Sequence, residues 1–470
     1  MSTDTWDVVV VGGGPAGENA AAYAAEGGLS AVLVEHELLG GECSYWACIP
    51  SKALLAPVAV LGHARALPGV VADRLDVGAV LARRDERIDR LDDASQVEWA
   101  QSANVDVVRG RGRLVGEREV AVGDRTLRAG HAVVLATGST ASLPPVAGLR
   151  EAHPWTSRDV TNLHAVPERV AIVGGGVVGC EAATWLIGLG ARSVTLVVRG
   201  DRLLSRAEPF AGEAVAEGLR AAGVDVRLGT EVERVERGPV IETAVGRPRG
   251  AEAVLAVGGE PLAVDEVVVA TGRAPSTGDL GLESVGLDPE APLEVDEHLA
   301  VGGSDWLYAV GDVNGLSLLT HMGKYQARIC GDAIAARAAA RRPPHRDYAD
   351  GRAVTQVTFT DPQVASVGPT EAQARERLGE RVDAMELDIS VSGAKLLRDG
   401  YSGRAKLVLD RADGTLLGAT FVGPDVGELL HAATIAVVGR VTLDRLWHAV
   451  PAFPTVSEVW LRLLEALRTR

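Results

Sequence analysis

Apolar runs recur along this chain in one repeated arrangement. Val8-Val9-Val10-Val11 passes through Gly12-Gly13-Gly14-Pro15-Ala16-Gly17 into an Ala-rich stretch with helical spacing. A second apolar run, Ala31-Val32-Leu33-Val34, then ends in Glu35. The plan returns as Val170-Ala171-Ile172-Val173, then Gly174-Gly175-Gly176-Val177-Val178-Gly179, a helical stretch and the strand-like Val194 to Val198. Each copy has an echo downstream. Val133-Val134-Leu135 runs into Ala136-Thr137-Gly138, and Val267-Val268-Val269 runs into Ala270-Thr271-Gly272. Strand, glycine turn, helix and strand, twice over, predict two nucleotide-binding modules of α/β type.

After an Ala-, Arg- and Pro-rich stretch from Ala335 to Arg346, read as a helix end and linker, the pattern changes. Val354 to Phe359 and Ala405 to Leu409 predict strands, and Gly427 to Val438 and Val456 to Leu467 predict helices. A third, α+β domain is expected from about Asp347 onward. The 470 residues accommodate such a division, since domains run to about 100–200 residues each. Hydrophobic residues at 47% and charged residues at 23% match an ordinary globular protein. The net charge of −16 argues against nucleic acid or an anionic membrane surface as the main partner. No uninterrupted apolar run is long enough to span a bilayer, and Met1 to Thr5 lacks the regions of a signal peptide. A cytoplasmic protein is expected.

In a G-x-G-x-x-G turn the first glycine makes the bend, the second admits a pyrophosphate, and the third lets helix and strand pack closely. The phosphates then rest on the helix N-terminus. An acid at the end of the next strand, about 20 residues on, accepts hydrogen bonds from a ribose. Gly12, Gly14, Gly17 and Glu35 meet that whole context. The second copy has Gly174, Gly176 and Gly179, but its second strand runs Val197-Val198-Arg199 and carries no acid. Arg199, with Arg202 and Arg206 near it, suits a 2′-phosphate, so NADPH is expected in preference to NADH.

Four cysteines, Cys43, Cys48, Cys180 and Cys330, are too few for a disulfide scaffold. Cys43 and Cys48 nevertheless stand close together in Gly40-Gly41-Glu42-Cys43-Ser44-Tyr45-Trp46-Ala47-Cys48-Ile49-Pro50-Ser51-Lys52. A close pair in a cytosolic chain points to redox or metal chemistry, and no further His or Cys completes a metal set at recognisable spacing. Pro50 suits a first helical turn, which places Cys48 beside a helix N-terminus, where the dipole favours thiolate.

With these motifs, with Tyr308-Ala309-Val310-Gly311-Asp312, and with Phe359-Thr360-Asp361-Pro362 through Gly368, essentially the whole chain resembles the pyridine nucleotide–disulfide oxidoreductases. These are the flavoprotein family of glutathione reductase, dihydrolipoamide dehydrogenase and mercuric reductase. The resemblance implies two Rossmann-like nucleotide-binding domains plus a C-terminal α+β dimerisation domain, in a homodimer. Its expected bounds are 1–150 for FAD, 151–275 for NAD(P), 276–346 as a return to the FAD-binding or central domain, and 347–470 for dimerisation. FAD would lie on Gly12, Gly14, Pro15, Ala16, Gly17, Glu35, Gly41, Ala136, Thr137, Gly138, Gly311 and Asp312, with Asp312 on the ribityl chain. Leu319, Thr320 and His321 would run along the isoalloxazine. The nicotinamide nucleotide would meet Gly174, Gly176, Val177, Val178, Gly179, Arg199 and Gly272. Lys52 and Glu181 match a pair beside flavin and nicotinamide, where a cation stabilises reduced flavin. Cys48 would face the flavin and Cys43 would attack a small-molecule acceptor. Val177 stands where some relatives carry a gating tyrosine.

One departure changes the picture. The family's disulfide reductases end in His-Pro-Thr-x-x-Glu, whose histidine serves the attacking thiol. Here Phe453-Pro454-Thr455-Val456-Ser457-Glu458 keeps the glutamate and puts phenylalanine in the histidine's place. A positioned acid–base group contributes about 10²–10⁴-fold, so turnover of glutathione-like or lipoamide-like disulfides should suffer. His448 is the nearest histidine, and no cysteine follows Cys330, so mercuric reductase's C-terminal thiols have no counterpart. The leading expectation is an NAD(P)H-dependent reductase of a small disulfide or other thiol-reactive acceptor. A flavin-mediated quinone reductase, diaphorase or transhydrogenase with non-essential cysteines stands as the alternative, and a non-enzymatic redox sensor as the third reading.

Overall fold

The structure, a computed structural model, describes residues 3–469. The chain divides into two compact units, each assembled from three stretches. The first comprises 1–50, 85–141 and 273–350; the second comprises 51–84, 142–272 and 351–470.

In chain order, the elements that carry the argument are strand β1 (Thr3–Val11), helix α1 (Pro15–Glu26), β2 (Ala31–Glu35), α2 (Gly41–Tyr45), α3 (Cys48–Arg65), β3 (Arg125–Leu135), β4 (Arg169–Val173), α4 (Val177–Gly188), β5 (Ser193–Val198), β6 (Glu266–Val269) and α5 (Thr320–Ala338). In the first unit β1 lies between β2 and β3, parallel to both. Val105–Arg109 extends the sheet beyond β2, Glu119–Val122 and Gly112–Gly116 extend it beyond β3, and Leu307–Ala309 pairs with β3. Val8, Val9 and Val10 are all 0% exposed, which explains why β1 reads as a continuous apolar run rather than an alternating one. Register then decides where chemistry can occur. Val11 pairs with Val34 on one side and Leu135 on the other, so Gly12, Glu35 and Ala136 emerge together at the C-terminal edge.

The second unit repeats this with β4 between β5 and β6 in a four-stranded parallel sheet that Asp225–Leu228 completes. Val173 pairs with Val197 and Val269, which brings Gly174, Val198 and Ala270 to one edge. The same unit holds a five-stranded antiparallel sheet in the order Thr355–Thr358, Gln363–Val367, Thr415–Gly423, Arg404–Asp410 and Val382–Asp388. Lys406 on this sheet is buried against the carboxylates of Glu208 (3.1 Å) and Glu371 (2.7 Å) and ties it to the nucleotide module. The C-terminal helix runs Glu458–Arg468, starting two residues later than its apolar pattern suggests.

Small residues let α1 and α5 pack closely. A Cβ on Gly331 would stand 2.5 Å from Tyr23 Cβ, and one on Gly323 would stand 3.3 Å from Ala16 Cβ. Among the described residues, one helical stretch, 41–65, has the length and mean hydropathy of a membrane span. It is broken at Trp46–Ala47 into α2 and α3, and it contains Glu42 and Lys52.

Candidate active site

Both glycine turns have the same atomic logic. Gly12 has φ +104, and a Cβ on it would lie 2.4 Å from Ala136 O; one on Gly17 would lie 1.9 Å from Gly12 O. In the second copy, Gly174 has φ +116 with Ala270 O at 2.4 Å, and Gly179 meets Gly174 O at 2.0 Å. The Ala-Thr-Gly echoes therefore mark the strand ends against which each first glycine is pressed. By contrast, nothing lies within 4 Å of a Cβ on Gly14 or Gly176. Each turn is thus closed towards the sheet and open above the helix start, the shape a pyrophosphate needs.

Glu35 is buried at the end of β2, accepting from Gly13 N (2.8 Å) and from Glu37 N (2.7 Å). Arg199, the residue after β5, is open to solvent, with Glu231 3.9 Å away. Arg202 turns aside to donate to Ser205 O at 2.8 Å. Val177 and Val178 begin α4, and Gly272 adopts φ +133.

Asp312 accepts a short hydrogen bond from Ser139 Oγ, to which Arg273 Nε donates at 2.7 Å; Arg273 also stands 3.5 Å from Glu42. These three partners escape sequence reading, although Arg273 directly follows the second Ala-Thr-Gly. Gly311, at φ +77, leaves room beside Ala16 that a Cβ would fill to 2.9 Å. An open glycine turn, a buried acid on the adjoining strand and an aspartate held by Ser139 together fit FAD in the first unit.

The two thiols lie at helix starts. Cys43 is in α2, and α3 begins at Cys48 with Pro50 in its first turn. Thr320 Oγ1, at the start of α5, lies 3.3 Å from Cys48 Sγ. The hydrogen bond with Cys48, then burial, then the charge on Cys48 push the Cys43 thiol far up, against the opposing pull of Thr320 and Lys324. Leu319 caps α5, and His321 follows Thr320, exposed.

The second unit holds its own charge pair. Lys52, one turn into α3, donates to Glu181 Oε2 at 2.7 Å. Glu181 is buried in α4, and its other oxygen accepts from Phe359 N at 3.0 Å. The Lys52 ammonium lies over the Phe359 ring, 4.9 Å from its centre. Phe359 is a partner no local pattern announces. At the C-terminal motif Phe453 is 75% exposed, and His448 is also exposed. The Glu458 carboxylate, buried, accepts from Gly393 N at 3.3 Å.

A family profile described as pyridine nucleotide-disulphide oxidoreductase matches residues 6–339, and its dimerisation domain matches residues 354–463. The chain is 32% identical to a glutathione reductase of Burkholderia cepacia, covering 98% of this chain and 99% of that one. It is 29% identical to a dihydrolipoyl dehydrogenase of Chlamydia muridarum (97% and 96% covered) and 31% identical to a mercuric reductase of Acidithiobacillus ferrooxidans (96% and 80%). Among solved structures, the HOCl-induced flavoprotein disulfide reductase RclA of Escherichia coli shares the fold, with a TM-score of 0.83 at 23% identity over 99% of this chain and 100% of that one. The chain belongs to the pyridine nucleotide–disulfide oxidoreductases: it is an FAD-binding oxidoreductase with a dimerisation domain.

Proposed function

We propose that this enzyme takes electrons from NADPH in preference to NADH and delivers them through FAD and the Cys43–Cys48 disulfide to a small disulfide or other thiol-reactive acceptor. One observation supports this reading: Cys43 in α2 and Cys48 at the start of α3 stand beside Thr320, whose Oγ1 is 3.3 Å from Cys48 Sγ. Bound FAD supplies two-electron transfer between nicotinamide and the cysteines. The chain's part is positional. Gly12, Gly14, Gly17 and Glu35 hold the dinucleotide end, Ser139 and Arg273 orient Asp312 for the ribityl chain, and Lys52, fixed by Glu181 and Phe359, provides a cation beside the flavin. Residues 1–150 and 276–346 serve FAD, 151–275 serve the nicotinamide nucleotide, and 347–470 pair two copies into a homodimer in the cytoplasm. Arg199 is free enough of its neighbours to meet a 2′-phosphate.

Phe453 fixes the kind of acceptor. With an apolar ring where relatives place a histidine, the acceptor suited to this site is one whose sulfurs leave as thiolates without protonation. Low-molecular-weight disulfides of graded thiol pKa test this in wild type and Cys43→Ala. Reduction that favours low-pKa leaving groups and vanishes in Cys43→Ala supports the reading. Quinone reduction that survives in Cys43→Ala, with no disulfide reduced by wild type, establishes a flavin-mediated quinone reductase instead.

A further inference from the structure

An acceptor that departs as two thiolates leaves a proton behind. Hydride plus R–S–S–R gives two R–S⁻ and one H⁺, and Phe453 stands where the family's proton-accepting histidine would be. The first unit contains a carboxylate suited to the task. Glu18, in the first turn of α1, is 7% exposed, and its Oε1 has no hydrogen-bond partner. A buried carboxyl oxygen without a partner is costly to keep ionised, and an acid in a first helical turn ordinarily faces solvent or a capping amide.

Its surroundings lead to the cysteines. Glu18 N donates to Gly14 O at 2.9 Å, and Gly14 is where α2 docks: Gly40 N donates to Gly13 O at 2.8 Å, and a Cβ on Gly41 would stand 2.8 Å from Gly14 Cα. Cys43 follows two residues later. From the other side, α5 brings Gly323 against Ala16, with Lys324 next to it and Thr320 one turn earlier at Cys48. α1, α2 and α5 thus meet at one corner, and the Lys324 charge on α5 is felt by both Glu18 and Cys43. The groups facing Glu18 are Lys324 from α5, Glu35 from the end of β2 and Tyr45 from α2. Lys324 acts on Cys43 as well as on Glu18. Burial first, opposed by Lys324 and reinforced by Glu35, raises the Glu18 carboxyl to about 7.

We propose that Glu18 is the group that takes up the proton Cys43 gives up, filling the role left vacant at Phe453. This rests on the dithiol reading above. Two electrons and one proton break the Cys43–Cys48 bond to give a Cys43 thiol and a Cys48 thiolate. As Cys43 sulfur bonds to one sulfur of R–S–S–R, the acceptor's S–S bond breaks, R–S⁻ leaves and the Cys43 proton passes to Glu18. Cys48 thiolate then bonds to Cys43 sulfur, expels the second R–S⁻ and restores the disulfide, and Glu18 releases its proton to solvent.

The test is iodoacetamide labelling of Cys43 in dithiothreitol-reduced holoenzyme across pH 5.5 to 9, read by mass spectrometry, alongside disulfide turnover. Wild type is expected to show an inflection near pH 7 that Glu18→Gln abolishes and Glu18→Asp retains. Turnover in Glu18→Gln should fall about 10²-fold, the lower end of what a positioned acid–base group contributes. Lys324→Met, which leaves the carboxyl itself in place, should move the inflection to higher pH. Superimposable labelling profiles in wild type and Glu18→Gln, or an unmoved inflection in Lys324→Met, overturn the proposal even if disulfides are reduced. A Glu18-dependent inflection in an enzyme that reduces no disulfide upholds the proton link and removes the acceptor reading instead.

Discussion

Replacing Lys52 by methionine breaks a pair whose two halves are unequally placed. The Lys52 side chain is 37% exposed, whereas that of Glu181 is only 4% exposed. Lys52→Met therefore leaves a buried carboxylate with the Phe359 amide as its remaining partner. Removing one member of a buried pair costs about 3–5 kcal/mol, mostly through the stranded charge. Because Lys52 is partly solvated, the lower end, about 3 kcal/mol, applies. At about 2.1 cal/mol/K per residue, unfolding the 470-residue chain carries an entropy of about 1 kcal/mol/K, so the melting midpoint of the holoenzyme should fall by about 3 °C. Adding Glu181→Gln removes the stranded charge and keeps a carbonyl for Phe359 N. Lys52→Met/Glu181→Gln should recover to within about 1 kcal/mol of wild type, a coupling that additive substitutions do not show. Thermal unfolding followed by flavin fluorescence reads the stability. Stopped-flow bleaching of the flavin by NADPH should be slowed in both variants, since neither has the cation. A double variant as unstable as Lys52→Met, or a Lys52→Met that melts with wild type, refutes the reasoning.

Phe359→Leu should loosen the hold on Lys52 by about 0.5–2 kcal/mol, the range of a cation–π contact, and slow flavin reduction, while Phe359→Tyr restores it. Because the Glu18 carboxyl is raised to about 7 in the folded protein, above an ordinary value of about 4.3, its contribution to stability is present below pH 4 and lost as pH climbs to 7. Glu18→Gln should therefore gain stability on wild type at pH 8 relative to pH 4.5, by about 3 kcal/mol at most; identical pH dependence of melting in the two proteins counts against it. Arg199→Ala should raise KM for NADPH well above its effect on KM for NADH, and an equal effect on both removes the 2′-phosphate role.

Much of the fold is legible in the sequence because its signals are local. Val8 to Val11 and Val170 to Ile172 are buried on both faces and so read as unbroken apolar runs, and Gly12, Gly17, Gly174 and Gly179 are demanded by backbone contacts at 2.4 Å or less. The Ala-Thr-Gly echoes are legible as repeats, but their purpose, closing on Gly12 and Gly174, needs the register. The site is legible where a motif carries it, as at Cys43 and Cys48. It is not legible where the partner is distant in sequence: Ser139 and Arg273 reach Asp312 from two other stretches, and Phe359 meets Glu181 across 178 positions. Glu18 was hidden for another reason. An acid in a first helical turn is so ordinary a complement to the helix dipole that only its burial marks it out.

The relay through the cysteines is tested most directly by anaerobic titration of the holoenzyme with NADPH, followed by absorbance beyond the flavin bands. One equivalent should bring up a long-wavelength thiolate-to-flavin absorbance in wild type and none in Cys48→Ser, while Cys43→Ser, whose Cys48 has no disulfide partner, should show that absorbance before NADPH is added and lose it as the flavin is reduced. A wild type that bleaches without that absorbance, or a Cys48→Ser protein that retains it, contradicts the account.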